Sequence, residues 1–319
     1  MTSPSPSPPR SPPSPIYTPP VNDGRIVPPG WLEQAPVTVG LIGLNVCAFL
    51  AEVVVTHGLS DLPPNDSLAL GASYSLATLH EGRYETLVTA CFLHGGIIHL
   101  LFNMVALWQA GPLVERAVGS ARMAPMYLVA GVFGNVLSAA CAWVMHAESM
   151  TVGASGAILG VIGAALVVYW RIGGWRNPLT QAMAKWLGLV VAFGVVMNAS
   201  GGRIDNAAHV GGALSGAAIA ALWKRGVHYS PAATRGILGA CAAVVGVCAA
   251  VVAFHDRRDP FAEMLLHDRI GFTVDALTTG RCPDAQAGLL AVERLGAKLA
   301  AGNALRRDVE AQCGPTPAR

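Results

Sequence analysis

A serine at the start of an apolar run is the first residue whose position suggests chemistry. Ser155 lies in GASGAILG, residues 153–160. A hydroxyl that is removed from water costs about 1–3 kcal/mol unless it finds a hydrogen-bond partner. The candidate partner is His209, which lies in NAAHVGGALSG at residues 206–216. Because a neutral imidazole can accept the hydroxyl proton and make the serine a nucleophile, the pair predicts nucleophilic attack on a carbonyl.

A second group of polar residues lies in HGGIIHLLFN, residues 94–103. His99 and Asn103 are four residues apart and therefore share one face of a helix. Attack on a carbonyl creates an oxyanion, and losing one donor to it typically costs about 2.7–4 kcal/mol. We predict that these two side chains, with backbone N–H groups around Ser155, form an oxyanion hole. The alternative is that they only link helices, at about 0.6 kcal/mol per hydrogen bond.

Glycines flank both the serine and the histidine. They form two pairs with a spacing of four residues, Gly156 with Gly160 and Gly212 with Gly216. Such small faces let helix backbones approach closely, although they also occur in membrane proteins without catalytic activity. If the two faces pack together, they bring Ser155 to His209. Gly153, two residues before the serine, leaves the backbone open to a substrate.

Carboxylates that could complete a catalytic triad are few. Only Glu115, Glu148 and Asp205 lie between residues 94 and 223. Asp205 is one helical turn before His209, so it is the local candidate for the acid of a Ser–His–Asp triad. We interpret it instead as a solvated loop residue and favour a Ser–His dyad, with the triad as the open alternative.

The surrounding sequence predicts a membrane protein. Hydrophobic residues make up 53% of the 319 positions and charged residues only 13%, well below the usual quarter in soluble domains. A bilayer core about 30 Å thick needs roughly 20 apolar residues per helix. Seven segments meet this requirement, and all of them are read as helices: 37–56, 96–114, 122–145, 154–170, 184–200, 207–223 and 236–254. The net charge of +2 and the lack of a polybasic tract argue against nucleic-acid binding.

Lysine and arginine predict the orientation of these helices, because positive charge stays on the cytoplasmic side. With the N-terminus inside, the outer loops between spans hold only Arg83 and Arg203. The inner segments hold ten basic residues: Arg10, Arg25, Arg116, Arg122, Arg171, Arg176, Lys185, Lys224, Arg225 and Arg235. The second, fourth and sixth spans then begin at the outer face, where their polar residues meet.

The composition divides the chain into four predicted parts. Residues 1–35 are rich in Pro and Ser and are predicted to be a disordered arm, and residues 36–225 form the membrane core. Residues 226–255 hold a linker and the seventh span. Residues 256–319 form a small helical tail outside the membrane, in which a hairpin joined by a Cys282–Cys313 disulfide is our hypothesis.

These residues together resemble the rhomboid family of intramembrane serine proteases. The resemblance covers about residues 37–223 and rests on HGGIIHLLFN, on GASG followed by Gly160 and Gly163, and on AHVGGALSG. It implies an all-α polytopic fold, a six-helix bundle whose short central helix ends a water-filled cavity. The seventh span is similar to the six-plus-one arrangement of part of the family.

The resemblance also implies roles for the residues of the motifs. Ser155 would be the nucleophile, His209 the general base, and His99 and Asn103 the side chains of the oxyanion hole. His94 matches the first histidine of the family's second span, where a structural or water-network role is implied. The expected activity is endoproteolytic cleavage of transmembrane segments in a bilayer, and the expected bilayer is a bacterial inner membrane. No metal, nucleotide or organic cofactor is implied, and the oligomeric state is left open.

The chain departs from the family pattern at several positions, and a rival function stays open. The chain has Glu85-Thr86 where the family commonly has Trp-Arg, and Leu159 where an aromatic residue often packs on the histidine. The rival is a membrane protein without catalysis, either an inactive relative that binds transmembrane clients or a channel-like bundle. Both Ser155 and His209 are present, which favours the protease.

Overall fold

The structure is a computed structural model, and it describes most of the chain. The described residues are 21–22, 25–26, 35–56, 58–59, 64–80, 82–145, 149–202, 204–224, 227–254, 260–294 and 300–315. The predicted disordered arm therefore lies mainly outside the described residues, as does Glu148. Within that arm two short strands, β1 (Val21–Asn22) and β2 (Arg25–Ile26), pair antiparallel.

Helices make up almost all of the rest. In chain order the helices before the predicted seventh span are α1 (Pro36–Thr56), α2 (Pro64–Ala69), α3 (Ser75–His80), α4 (Thr86–Thr89), α5 (Ile97–Val118), α6 (Ser120–Val144), α7 (Ser155–Gly173), α8 (Pro178–Ala199) and α9 (Asn206–Leu222). They are followed by α10 (Pro231–Phe254), α11 (Pro260–Thr278), α12 (Cys282–Arg294) and α13 (Ala300–Cys313). A short 3-10 turn, Gly174–Arg176, joins α7 to α8.

Seven of these helices correspond to the seven predicted spans. Among the described residues, six are long and apolar enough to cross a membrane: α1, α5, α6, α7 with the turn after it, α8 and α10. The seventh, α9, has 17 residues and corresponds to the predicted short sixth span. The fifth span is longer than predicted, because α8 begins at Pro178. The chain is an all-α polytopic membrane protein.

Polar side chains fix where several of these helices begin. The carboxylate of Glu115 on α5 accepts hydrogen bonds from the backbone N–H groups of Val37 and Thr38, at 2.9 and 2.8 Å. These N–H groups lie in the first turn of α1, where no helical partner is available. Proline at the first position of α1, α8 and α10 suits the same location. Glu115 therefore couples the start of α1 to the end of α5.

Helix α7 is the centre of the bundle. Ten consecutive residues, 156–165, are buried, and the helix packs against α5, α6, α8 and α9. By contrast α10 has no buried residue and contacts the bundle along α6 and α4. A hydrophobic core around α7 and an outer seventh helix agree with the predicted six-plus-one arrangement.

The long segment between α1 and α5 is folded onto the bundle. Its strand β3 (Ser73–Tyr74) pairs antiparallel with β4 (Met150–Thr151), with Ser73 opposite Thr151. At the departure from the family pattern, Arg83 Nε lies 2.7 Å from Glu85 Oε1, and Thr86 Oγ1 donates to the Arg83 carbonyl. Where Trp-Arg is missing, the segment is therefore held by polar contacts among residues 83–86.

The C-terminal tail has more structure than the sequence predicts. Cys282 and Cys313 form the expected disulfide. The predicted hairpin of two helices is incomplete, because α11 packs with α12 and α13 to form three helices around one small core that includes Leu289, Val292 and Val309. The mixed polar and apolar sequence of α11 hid this third helix. The boundaries of the four predicted parts of the chain stay predictions.

Candidate active site

Ser155 and His209 are in hydrogen-bond contact. Ser155 Oγ lies 2.9 Å from His209 Nε2. Ser155 is the first residue of α7, and His209 lies in the first turn of α9. The imidazole is buried, with 8% of its residue surface exposed. The hydroxyl and the imidazole are 54 residues apart in sequence, and in the structure they are close enough for direct proton transfer.

The glycine faces of α7 and α9 create this contact. A side-chain carbon added at Gly212 would overlap the carbonyl of Gly156, and one added at Gly216 would overlap the carbonyl of Gly160. The two backbones are therefore closer than any larger residue permits. This packing sets the spacing of the helices whose first turns carry Ser155 and His209.

Asp205 is a structural cap, and its interpretation as a solvated loop residue is wrong. Its Oδ1 accepts the N–H of Ala208 at 2.9 Å, which caps α9. Its Oδ2 accepts the hydroxyls of Ser138 at 2.5 Å and Thr151 at 2.6 Å. The carboxylate therefore ties α9 to α6 and to the strand just before Ser155.

The structure contains no hydrogen bond that would make Asp205 the third member of a triad. His209 Nδ1 is buried and has no hydrogen-bond partner among the residues that the structure describes. A triad requires an acid that accepts from this nitrogen. The geometry corresponds to a Ser–His pair, and Asp205 acts on the positions of the helices.

His99 and Asn103 lie beside the segment that leads to Ser155. Gly153 has φ of +123°, and a side-chain carbon there would come within 2.7 Å of His99 Cε1 and 3.8 Å of Asn103 Nδ2. Asn103 is 5% exposed, and its Nδ2 donates to the carbonyl of His99 at 3.1 Å. Because Gly153 has no side chain, a space remains beside it. This space is bordered by His99 and Asn103, the two predicted oxyanion donors.

Hydrogen bonding determines which nitrogen of His99 can donate. The N–H of Gly95 points at His99 Nδ1, 3.4 Å away. A nitrogen that accepts a hydrogen bond carries no proton, so in the neutral ring the proton lies on Nε2. Nε2 is also the nitrogen nearest to the Gly153 space, at 2.9 Å from the added carbon. His99 is therefore assigned a donor that faces the site.

The first turn of α7 adds backbone donors. The N–H groups in the first turn of any α-helix have no partner within the helix, and they form its positive end. For α7 these groups include the N–H groups of Ser155 and Gly156. Negative charge that develops beside Ser155 would therefore meet backbone as well as side-chain donors.

His94 belongs to a supporting network that the sequence reasoning missed in part. Its backbone N–H donates to both carboxylate oxygens of Glu52, at 3.0 and 3.2 Å, and its ring packs edge-on against His99 with centroids 5.2 Å apart. Burial, with a smaller contribution from His99, lowers the pKa of His94 to about 3. His94 is thus a neutral imidazole that packs against the ring of His99. The sequence feature that could have indicated this network is Glu52, the one charged residue of α1.

Metal binding finds no support in the described part of the chain. No group of three or more histidine, cysteine, aspartate or glutamate residues is arranged there to hold an ion.

Comparison with known proteins finds one domain match and several similar proteins. Residues 81–226 match the family described as Rhomboid domain. The chain is 36% identical over 144 residues to RHOMBOID-like protein 5 of Arabidopsis thaliana, with 43% of each chain covered. It is 33% identical over 149 residues to Rhomboid protease GluP of Bacillus subtilis, covering 47% of this chain and 28% of that one.

A longer match extends beyond the motifs. The chain is 28% identical over 233 residues to Rhomboid-like protease 1 of Toxoplasma gondii, covering 69% of this chain and 78% of the relative. Against the first two relatives it spans less than half of their length. The matched region contains the three motifs and the helices that carry them. The chain therefore contains a Rhomboid domain over residues 81–226.

Proposed function

We propose that the chain is an intramembrane serine endopeptidase that cleaves transmembrane segments of other membrane proteins. The observation that carries the proposal is the 2.9 Å contact between Ser155 Oγ and His209 Nε2 inside a multi-pass membrane protein. Relatives named as rhomboid proteases support the same class of activity. The reaction is amide hydrolysis through an acyl-enzyme.

In the first half of the proposed reaction, His209 Nε2 takes the hydroxyl proton of Ser155 as Oγ attacks the scissile carbonyl carbon. The new C–O bond pushes the carbonyl electrons onto oxygen, and His99 Nε2–H, Asn103 Nδ2–H and the first-turn N–H groups of α7 stabilise that oxyanion. When the carbonyl re-forms, the C–N bond breaks. The protonated imidazole gives its proton to the departing amine.

In the second half, a water molecule replaces the amine. His209 takes a proton from the water, and the hydroxide attacks the acyl carbon of the Ser155 ester. Collapse of the second oxyanion breaks the ester C–O bond, and the imidazole returns the proton to Ser155 Oγ. The products are two peptides, and no cofactor takes part.

The proposal includes a location and an orientation. The charge distribution supports a cytoplasmic N-terminus, which puts the first turns of α5, α7 and α9 near the outer face. The tail then lies outside the cytoplasm, where the Cys282–Cys313 disulfide fits an oxidising compartment. For a bacterial chain this membrane is the inner membrane, and the substrates are membrane proteins that reach the site from the bilayer.

The test compares purified wild-type chain with Ser155→Ala in liposomes that contain a model transmembrane substrate. We expect wild type to cleave and Ser155→Ala to show no product. Ser215→Ala is the matched control, because it removes a hydroxyl from α9 that only donates to the carbonyl of Gly212. Cleavage by Ser155→Ala would refute the nucleophile. A wild-type chain that binds the substrate without cutting it would support the inactive client-binding relative.

A further inference from the structure

A cleft at the opposite end of the bundle from Ser155 is lined by α6, α9, α10 and the linker between α9 and α10. It has a volume of about 450 Å³. Two residues that line it are Ile219, on α9, and Trp223, just past the end of α9. They follow His209 by 10 and 14 residues. At 1.5 Å per residue they lie about 15–21 Å from the imidazole. The cleft is therefore separate from the proposed active site.

The walls of the cleft are apolar except at one end. Pro125, Met126 and Val129 of α6 face Ile219 of α9 and Ile237 of α10. Val129 is 39% exposed, so the apolar wall continues onto the outer surface of the bundle. On a multi-pass membrane protein, that surface is in contact with acyl chains.

Arg122 forms the polar end of the cleft. Its guanidinium carbon lies 5.6 Å from the ring centre of Trp223 and 5.8 Å from that of Tyr229. One nitrogen, Nη2, donates to the carbonyl of Lys224 at 2.9 Å. Its Nε is buried and has no hydrogen-bond partner among the described residues. A guanidinium carries five N–H donors, and the described hydrogen bond uses one of them, on Nη2, so Arg122 has capacity for a further acceptor that the protein itself does not supply.

Another arginine at the same end of the bundle is used differently. Arg171 donates to the carbonyl oxygens of Ala220, Ala221 and Trp223, and so completes the last turn of α9. The protein satisfies Arg171 with its own acceptors, whereas Arg122 faces the cleft. Of these two arginines, Arg122 is therefore the candidate for binding a ligand in the cleft.

The charge of the lining favours an anion. The sequence from residue 116 to 145 contains no aspartate or glutamate, and neither does the sequence from residue 206 to 254. The same stretches contribute Lys224 and Arg235 near the cleft end of α9 and α10. Glu115, just before the first stretch, is already hydrogen-bonded to Val37, Thr38 and Ser120. No described carboxylate of the lining elements competes for Arg122.

We propose that this cleft binds one anionic phospholipid, with its phosphate on Arg122 and an acyl chain along the apolar wall. A phosphate oxygen accepts from the guanidinium, and Trp223 and Tyr229 hold the guanidinium plane in position. Basic pockets between transmembrane helices bind anionic headgroups by this combination of charge and apolar contact. The bound lipid would join α10 to α6 and α9 at a place where α10 has no buried residue of its own.

The experiment measures lipid binding to the full chain in detergent by native mass spectrometry. The probes are phosphatidylglycerol, phosphatidylcholine with the same acyl chains, and inorganic phosphate as a competitor. We expect one phosphatidylglycerol to bind at least five-fold more tightly than phosphatidylcholine, and millimolar phosphate to leave it bound. Equal affinities for the two lipids, or displacement by phosphate alone, would overturn the proposal.

Variants locate the site. We expect Arg122→Gln to remove the preference for phosphatidylglycerol, and Arg176→Gln, which changes an exposed arginine at the same end of the bundle, to keep it. Because Arg122 also contacts Lys224 and two rings, its loss can affect folding. Ile237→Trp is the second variant, since it fills the apolar wall and leaves Arg122 in place. Unchanged phosphatidylglycerol binding in either folded cleft variant contradicts the assignment.

Discussion

At the residue scale, the proton on His99 decides whether this side chain can stabilise an oxyanion. The Gly95 N–H occupies Nδ1, so Nε2 is left as the donor toward the space at Gly153. His94 supports this arrangement from behind as a buried neutral ring. The histidine that touches the site is thus oriented by a backbone group four residues earlier in the chain.

We expect His99→Ala to lower kcat by about 10²–10³, the usual cost of one oxyanion donor, with a smaller effect on KM. The reason is that the donor acts on charge that exists only in the transition state. The measurement is steady-state cleavage of the model substrate in liposomes. The double variant Ser155→Ala/His99→Ala is the control and should give no product, like Ser155→Ala alone. A wild-type kcat in folded His99→Ala would remove this residue from the oxyanion hole.

The residues themselves differ in how well the sequence predicts them. Ser155, His209, His99 and Asn103 stand out because a polar group within an apolar run is costly and needs a reason. Glu52 follows the same rule but lies far from the motifs, and only the fold brings it to His94. The contacts of Asp205 with Ser138 and Thr151 were equally hidden, since neither hydroxyl is distinctive in sequence.

At the scale of elements, the contact between α7 and α9 depends on the size of a few side chains. The glycine spacing predicts this packing because helices without side chains at the interface can come close. The spacing of Ser155 and His209 follows from it. Substitutions in the interface should therefore affect stability and activity together.

We expect Gly212→Ala to destabilise the bundle by about 1–3 kcal/mol, the typical cost of overpacking, because the new methyl meets the carbonyl of Gly156. The matched control is Gly239→Ala on α10, where an added carbon has nothing within 4 Å. That change should leave stability unchanged or raise it by about 0.5–1 kcal/mol. Unfolding in mixed micelles followed by circular dichroism measures both, and equal effects of the two substitutions would argue against close packing.

Asp205→Ala should reduce cleavage without abolishing it. The substitution removes the cap of α9, worth about 0.5–2 kcal/mol, and frees Thr151 four residues before Ser155. Asp205→Asn should lie between alanine and wild type, because asparagine still caps a helix. Rates and unfolding midpoints are measured for the same samples. If Asp205→Ala matched His209→Ala in activity while keeping full stability, the carboxylate would have to act in a triad after all.

At the scale of the whole molecule, the chain combines a membrane bundle with a small disulfide-linked unit. The apolar runs predict seven spans, and the structure has seven corresponding helices. The third helix of the tail was not predictable, because α11 mixes polar and apolar residues without a clear periodicity. What stabilises the unit is the core shared by α11, α12 and α13 together with one disulfide.

We expect reduction of Cys282–Cys313 to loosen the tail and spare the bundle. A disulfide typically stabilises by about 2–4 kcal/mol, and this one closes a loop with a sequence separation of 31 residues. Hydrogen exchange should therefore speed up in α11 to α13 and stay unchanged in α7 and α9. The double variant Cys282→Ser/Cys313→Ser should behave in the same way without reductant. Faster exchange in α7 would mean that the tail supports the bundle.

The β3–β4 pair and the Asp205 carboxylate together form a second connection between the two halves of the site. Ser73 pairs with Thr151, and Thr151 donates to Asp205, which in turn holds the first turn of α9. In the proposed acyl-enzyme, the hydrogen bond between Ser155 and His209 no longer exists. In that proposed intermediate, the connection through Thr151 and Asp205 would still hold the first turn of α9, and with it the imidazole, in place for the hydrolytic water.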